Sequence, residues 1–305
     1  MSDVIATVGS GEVATPAALS TDQAGGKRRK RGGILGLAGW LSVVWLTLVA
    51  GSAILASYLP LDDPDRSDFL VPANATPGTS GHLLGTEQNG YDIFSRLIHG
   101  GRVSLVVAFG VLAIGMVVGG TIGLLAGFLR GRTETILMAA VDIFLAFPAL
   151  ILLIAIVAFL GADLKNVVIG ISLVSIPAFA RIARATTLTF SRREFVLAAE
   201  AAGASRRRIL VREILPNVIL PLLAFGLLVV AIAIVAEGSL AFLGLTSQET
   251  ISWGGMINGG RRALQQENIA HTSMLPAAMM FLTVLAVNFL GDRFRAAFDV
   301  KDAAL

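Results

Sequence analysis

A chain of 305 residues with 55% hydrophobic and only 15% charged side chains, at a mean hydropathy of +0.77, is too apolar for a water-soluble domain of this size, where about 25% charged residues is usual. The absence of cysteine excludes disulfides, thiolate metal sites and cysteine nucleophiles. The formal net charge of +3 is small, and the basic residues are not interleaved with aromatic ones, which argues against a nucleic-acid surface.

Residues 1–33 are small and polar and end in the basic run Lys27–Arg31. They are expected to form a disordered cytoplasmic tail. A basic cluster before an apolar run also begins a signal peptide. The run 34–59 is too long for a cleavable segment and long enough to span, so a first transmembrane helix is expected there. Residues 60–102 carry Pro60, Pro64, Pro72 and Pro77 and are expected as an external loop with an interfacial segment. A helix needs about 20 apolar residues to cross a bilayer core. Five more segments meet that length, at 103–129, 135–160, 166–189, 215–237 and 273–291. They form a predicted five-helix core over 103–291, followed by a cytoplasmic tail at 292–305.

The second span holds Gly115, Gly119, Gly123 and Gly127 at intervals of four, a flat stripe suited to close helix packing. Pro148, Pro177, Pro216, Pro221 and Pro276 punctuate other spans or their ends and predict bends. Orientation follows from the basic residues. With the N-terminus inside, 18 of the 24 Lys and Arg lie on the cytoplasmic side and six outside. Both termini are then cytoplasmic.

Sequence signatures of common catalytic sites are missing. There is no P-loop, no H-E-x-x-H and no G-x-S-x-G, and the three histidines, His82, His99 and His271, are far apart in sequence. No catalytic residue, metal site or cofactor is expected in this chain. Two acids approach the membrane, Asp142 in the third span and Glu237 at the external end of the fifth. Ionisable groups at that depth are functional candidates by default, and both are candidates for a translocation pathway.

Between the fourth and fifth spans lies "FSRREFVLAAEAAGASRRRILVREILPNVILP". Phe195, Ala198, Ala199 and Ala202 share one helical face. Gly203 suits a helix C-terminus and Ser205 can cap a following helix. Ile209, Leu210 and Ile214 form a second apolar patch among Arg206, Arg207, Arg208 and Arg212. Pro216 suits the first turn of the next span. A hairpin over 190–216 is predicted on the cytoplasmic face. Its alanine face is a weak lipid anchor and a good close-packing surface.

"LAAEAAGASRRRILVREILPN" resembles the EAA loop of ABC-importer permeases, with Ala198, Ala199, Gly203, Leu215 and Pro216 matching and Leu197 where the family has its glutamate. "HLLGTEQNGYDIFSRLIHGGRVSL", "VDIFLAFPALIL", "EGSLAFLGL", "SWGGMI" and "LAVNFLGDRFRAAFD" extend the resemblance to the C-type permease of the dipeptide, oligopeptide and nickel branch. The resemblance implies an all-α integral membrane protein with six transmembrane helices, a cytoplasmic coupling hairpin and the type I importer fold. It implies a bacterial plasma-membrane location. It also implies partners: a B-type permease, two cytoplasmic ATP-binding subunits that carry ATP and Mg, and an external substrate-binding protein. ATPase docking is carried onto Ala198, Ala199, Gly203, Ala204, Ser205, Arg206, Arg207 and Arg208. The implied cargo is di- or oligopeptide, with nickel chelates, glutathione or haem as alternatives within the branch. A secondary transporter driven by an ion gradient is the reading from another class. It calls for several midplane ionisable residues and an internal repeat. A membrane anchor without transport is a third.

Overall fold

The structure, a computed structural model, describes residues 36–247, 250–261 and 270–302. The predicted tail 1–33 lies outside these residues. Among the described residues the fold is helical, with one isolated bridge between Thr86 and Asp92 and no strand. Nine helices organise it. They are α1 (Gly36–Leu55), α2 (Ile93–Leu129), α3 (Gly131–Leu145), α4 (Ala149–Leu160), α5 (Leu164–Phe190), α6 (Glu194–Ala201), α7 (Arg206–Phe242), α8 (Trp253–Gly259) and α9 (His271–Asp302). Helices α1, α2, α5, α7 and the first 26 residues of α9 are each long and apolar enough to cross a bilayer. The pair α3 and α4 makes a sixth crossing if taken as one span, bent by 83° between them.

That bend falls at Pro148, at the second half of the expected span 135–160. Proline has no N–H to donate and its ring crowds the preceding turn, so α3 stops at Leu145 and α4 restarts at Ala149. Helix α2 begins ten residues before the predicted 103. Asp92 caps it, its carboxylate accepting from the Ser95 N–H at 2.7 Å. Arg96, His99 and Arg102 lower the hydropathy of its first three turns, so an apolar window enters the helix late. The last helix continues to Asp302, through the first residues of the expected tail 292–305.

Helices α2, α5 and α7 form the centre of the packing. The glycine stripe of α2 lies on α5. A methyl group added at Gly115 would meet the Phe179 ring at 2.7 Å, at Gly119 the Ile176 carbonyl at 2.6 Å, and at Gly127 the Arg184 carbonyl at 2.8 Å. At Gly123 it would lie 2.1 Å from the Ala180 carbonyl. The two helices touch backbone to backbone, a contact available only to small residues. Phe179 is fully buried at this seam and stacks edge-on against Phe225 of α7, 5.1 Å between ring centroids. Helix α9 packs on α7 and α1, and Trp45 Nε1 donates to Thr283 Oγ1 at 3.1 Å.

The segment between α1 and α2 is built from turns, as its prolines and glycines suggest. Its anchor is His82. The Nδ1 atom lies 2.8 Å from Asp92 Oδ1, and Asp68 and Asp62 approach the ring at 3.6 and 3.8 Å. Burial disfavours the charged ring. The hydrogen bond and charge of Asp92, joined by Asp68 and Asp62, outweigh it, and the pKa stands above the ordinary 6.5. A raised pKa means that the imidazolium's contribution is fully present below pH 6.5 and is lost as the pH rises through the folded-state value. Amide protection in residues 76–92, corrected for intrinsic exchange, is therefore expected to fall at least threefold between pH 6 and pH 8.5. His82→Gln should flatten the dependence. Equal protection at both pH values in the unaltered protein would refute the assignment.

The short helix α8 falls in what the sequence presents as a mixed loop. Ser252 caps it, accepting from the Gly255 N–H at 3.2 Å. Trp253 is fully buried against Gly100 and Gly101 of α2, and its Nε1 donates to the Leu97 carbonyl at 2.8 Å. Gly254 rests on Gly238 of α7.

Candidate functional site, the polar hairpin and the buried charges

The hairpin starts from two short-range motifs. At the end of α6 the Ala204 N–H reaches the Ala199 carbonyl at 3.0 Å and the Gly203 N–H reaches the Glu200 carbonyl at 2.9 Å. These are the two bonds of a Schellman turn, which needs a left-handed residue between them. Gly203 supplies it, with φ at +77°. Ser205 then accepts from the Arg208 N–H at 3.4 Å and starts α7. The eight residues expected to dock an ATPase thus occupy one corner, and Ser205, Arg206, Arg207 and Arg208 are exposed.

The predicted stripe of α6 divides. Val196 is buried to 2% exposure, and Ala199, one turn on, packs with it toward the core that contains Ile209 and Ile214. Phe195, Ala198 and Ala202 stay exposed, and Leu197 is 54% exposed beside them. An apolar face of α6 is therefore uncovered in this chain. The inward anchor, Val196, was missed because the stripe was drawn one residue to its side.

Pro216 stands where expected, in the first turn of the helical segment Leu215–Phe242. Helix α7 runs from Arg206 to Phe242 without interruption and passes the proline through a π-turn at Ile209–Ile214. The wider turn gives room to a ring that has no N–H for the carbonyl below it. The Asn217 side chain donates to the Glu213 carbonyl at 2.6 Å in the same turn. The second arm of the hairpin and the span are one rod.

The two pathway candidates do not meet. Asp142 of α3 accepts from Arg181 Nη2 of α5 at 2.7 Å, and both side chains are more than half exposed. Nearer the hairpin, Arg184, three residues after Arg181, donates from Nε to Glu134 at 2.6 Å. Glu237 behaves otherwise. Its predicted place at a water-facing helix end is replaced by 1% exposure, with Ser104 Oγ of α2 donating to Oε2 at 3.0 Å and the Ser252 hydroxyl also bonded to it. It ties α2, α7 and the cap of α8 together. Nor do the histidines gather. His99 bonds the Ser95 carbonyl, His271 the Ala75 carbonyl, and only His82 collects carboxylates. Sequence reasoning missed Arg181, Arg184 and Glu134. The signal was present: in antiparallel neighbours, Glu134 and Asp142 rise as Arg184 and Arg181 descend.

The profile of the family described as binding-protein-dependent transport system inner membrane component matches residues 119–301. The chain is 38% identical to the glutathione transport system permease protein GsiD of Pectobacterium atrosepticum over 261 residues, 85% of each protein. It is 38% identical to the di/tripeptide transport system permease protein DppC of Pseudomonas aeruginosa over 264 residues, 85% of this chain and 86% of that one. In fold it is similar to a chain of the MetNI methionine ABC transporter in an inward-facing conformation. The TM-score is 0.56 at 20% identity, covering 67% of this chain and 97% of that one.

Proposed function

Because the chain belongs to the family of binding-protein-dependent transport system inner membrane components, we propose that it pairs with a B-type permease to form the translocation pathway of an ATP-driven importer of di- and oligopeptides. One observation carries the reading: 85% or more of the chain matches relatives named for di/tripeptide, dipeptide and glutathione transport. Glutathione is itself a small peptide and is the second cargo that these names favour.

On this reading the hairpin faces the cytoplasm of a bacterium, both termini are cytoplasmic, and the segment 60–92 meets an external binding protein. Two ATP-binding subunits hold ATP and Mg, and one of them seats α6. The uncovered face of Phe195, Leu197, Ala198 and Ala202 supports that seat, as does the exposed trio Arg206–Arg208. Leu197 stands where the motif has glutamate, so the contact rests on shape and on the arginines. The continuous α7 supplies the mechanical link. A push on its polar end moves a membrane helix directly, with no flexible joint to absorb it. The chain contributes motion and a passage, and hydrolysis belongs to its partners.

Purification of the tagged chain from cells producing the neighbouring gene products tests this. A second permease and an ATPase pair should copurify, and dipeptide uptake should stop on ATP depletion. A chain that purifies alone, or uptake that persists on an ion gradient without ATP, would count against the importer.

A further inference from the structure

The Asp142–Arg181 pair sits deep. Asp142 lies eleven residues into α3 from Gly131, about 16 Å along the axis, and Arg181 lies nine residues before the end of α5, about 14 Å from it. Arg181 is also 17 residues, about 26 Å, from the start of α5, so the pair, whose arginine the charge count sets on the cytoplasmic side, lies within the hairpin half of a bilayer core about 30 Å thick. Both side chains are more than half exposed on the surface of this chain. The residues that follow, from Asp142 through Phe147 to Ile151, are exposed as well, across the break at Pro148. Apolar side chains at that depth can face lipid or a neighbouring helix. A charged pair cannot face lipid cheaply, and ionisable groups within spans turn to a protein interior or to water.

We infer that the Asp142–Arg181 pair lines the aqueous translocation pathway and forms an electrostatic constriction beside the break in the third span. The inference rests on the importer reading above and adds to it the residues that cargo meets. A peptide carries an ammonium and a carboxylate. The pair offers one counter-charge to each, and each exchange leaves the other member of the pair free for the opposite end. Glu134, two turns before Asp142, and Arg184, three residues after Arg181, repeat the arrangement nearer the hairpin, less exposed. Together they give the face alternating charges, so cargo of either sign meets no single-sign barrier. The pairs also hold α3 to α5, while α4 beyond the break is held by apolar contacts such as Leu153 and Val157.

With no native cysteine, an introduced thiol is the single one in this chain, and labelling is read on this chain after it is separated from its partners. Leu145→Cys and Ala146→Cys lie on the exposed face, and Val141→Cys, buried to 3% exposure, is the internal reference. The assembled complex, with its partner permease and ATPases, is reconstituted in liposomes. It is treated with a membrane-impermeant trimethylammonium methanethiosulfonate, without nucleotide and after trapping with ATP and vanadate. Labelling at positions 145 and 146 is expected to be at least tenfold faster than at 141 in one of the two states. Asp142→Asn in the Ala146→Cys background should then lower the ratio of cationic to anionic reagent rates at least threefold. A merely structural role for the pair would not move that ratio. No reaction with charged reagents in either state overturns the inference. Reaction with a lipid-soluble maleimide would then place the face against lipid, and reaction with neither reagent would place it against a neighbouring chain. An unchanged charge ratio also overturns it. Dipeptide uptake by the unaltered complex is scored separately, so a wrong cargo would be visible without obscuring the labelling result.

Discussion

Gly203→Val is expected to lower uptake at least tenfold while leaving the chain in the membrane at a normal level. The position has φ at +77°, and nothing lies within 4 Å of an added Cβ. The loss would therefore come from the backbone and not from a clash. A left-handed conformation costs an ordinary residue about 1–2 kcal/mol, and a β-branched one is the least suited to it. That is too little to unfold the bundle. It is enough to undo a two-bond turn whose only task is to fold α6 back against α7. Asparagine tolerates the left-handed region, so Gly203→Asn should retain most of the uptake. Transport, membrane level by immunoblot and retention of the ATPase on purification are the three readouts. Normal uptake by the valine variant at normal abundance would remove the hairpin from the mechanism.

Gly123→Leu should act earlier, on assembly of the chain itself. Its Cβ would lie 2.1 Å from the Ala180 carbonyl, 2.6 Å from the Ala183 methyl and 2.8 Å from the Arg184 backbone nitrogen. None of these atoms belongs to a flexible side-chain end. Helices α2 and α5 would have to part, and parting them also loosens Gly119 and Gly127. Overpacking by one or two methylenes costs about 1–3 kcal/mol, and a leucine against backbone exceeds that range. Folded chain in the membrane is expected to fall at least fivefold, read by size-exclusion of a fluorescent fusion. Gly120→Ala is the matched control. Its neighbour is the far end of the Leu222 side chain at 3.4 Å, and its level should stay within twofold. A leucine variant that accumulates and elutes like the unaltered protein would contradict the backbone contact.

Much of the fold is legible in the sequence because its signals are local. Apolar length alone marks the five long spanning helices and the bent pair α3–α4, the four-residue glycine spacing announces the α2–α5 seam, and Gly203 with Ser205 spells out the hairpin turn. The misreadings share a physical cause, in that each depends on a partner distant in the chain or on a choice between two allowed geometries. Asp142 and Arg181 are 39 residues apart, and Glu134 and Arg184 are 50. Nothing in either stretch alone says that the charges cancel. Glu237 looks like a helix-end acid until α8 closes over it, and α8 is seven residues long with three glycines. Pro216 holds its expected place in a first helical turn, but nothing local says that a π-turn over Ile209–Ile214 joins that turn to the second arm of the hairpin. In α6, wheel arithmetic offers two adjacent apolar faces, and packing selects the one that carries Val196.

The unbroken α7 has a thermodynamic consequence. Its 37 residues make a rod about 55 Å long. One end bears Arg206–Arg208, and near the other Glu237 grips the cap of α8. Two ligands that bias the same rod are linked, and linkage is reciprocal for binding free energies. If closure of a nucleotide-bound partner at the arginine end tightens the hold on a delivering protein at the α8 end by some factor, delivery must tighten nucleotide binding by that same factor. Cargo arrival would then be sensed across the membrane without a separate receptor.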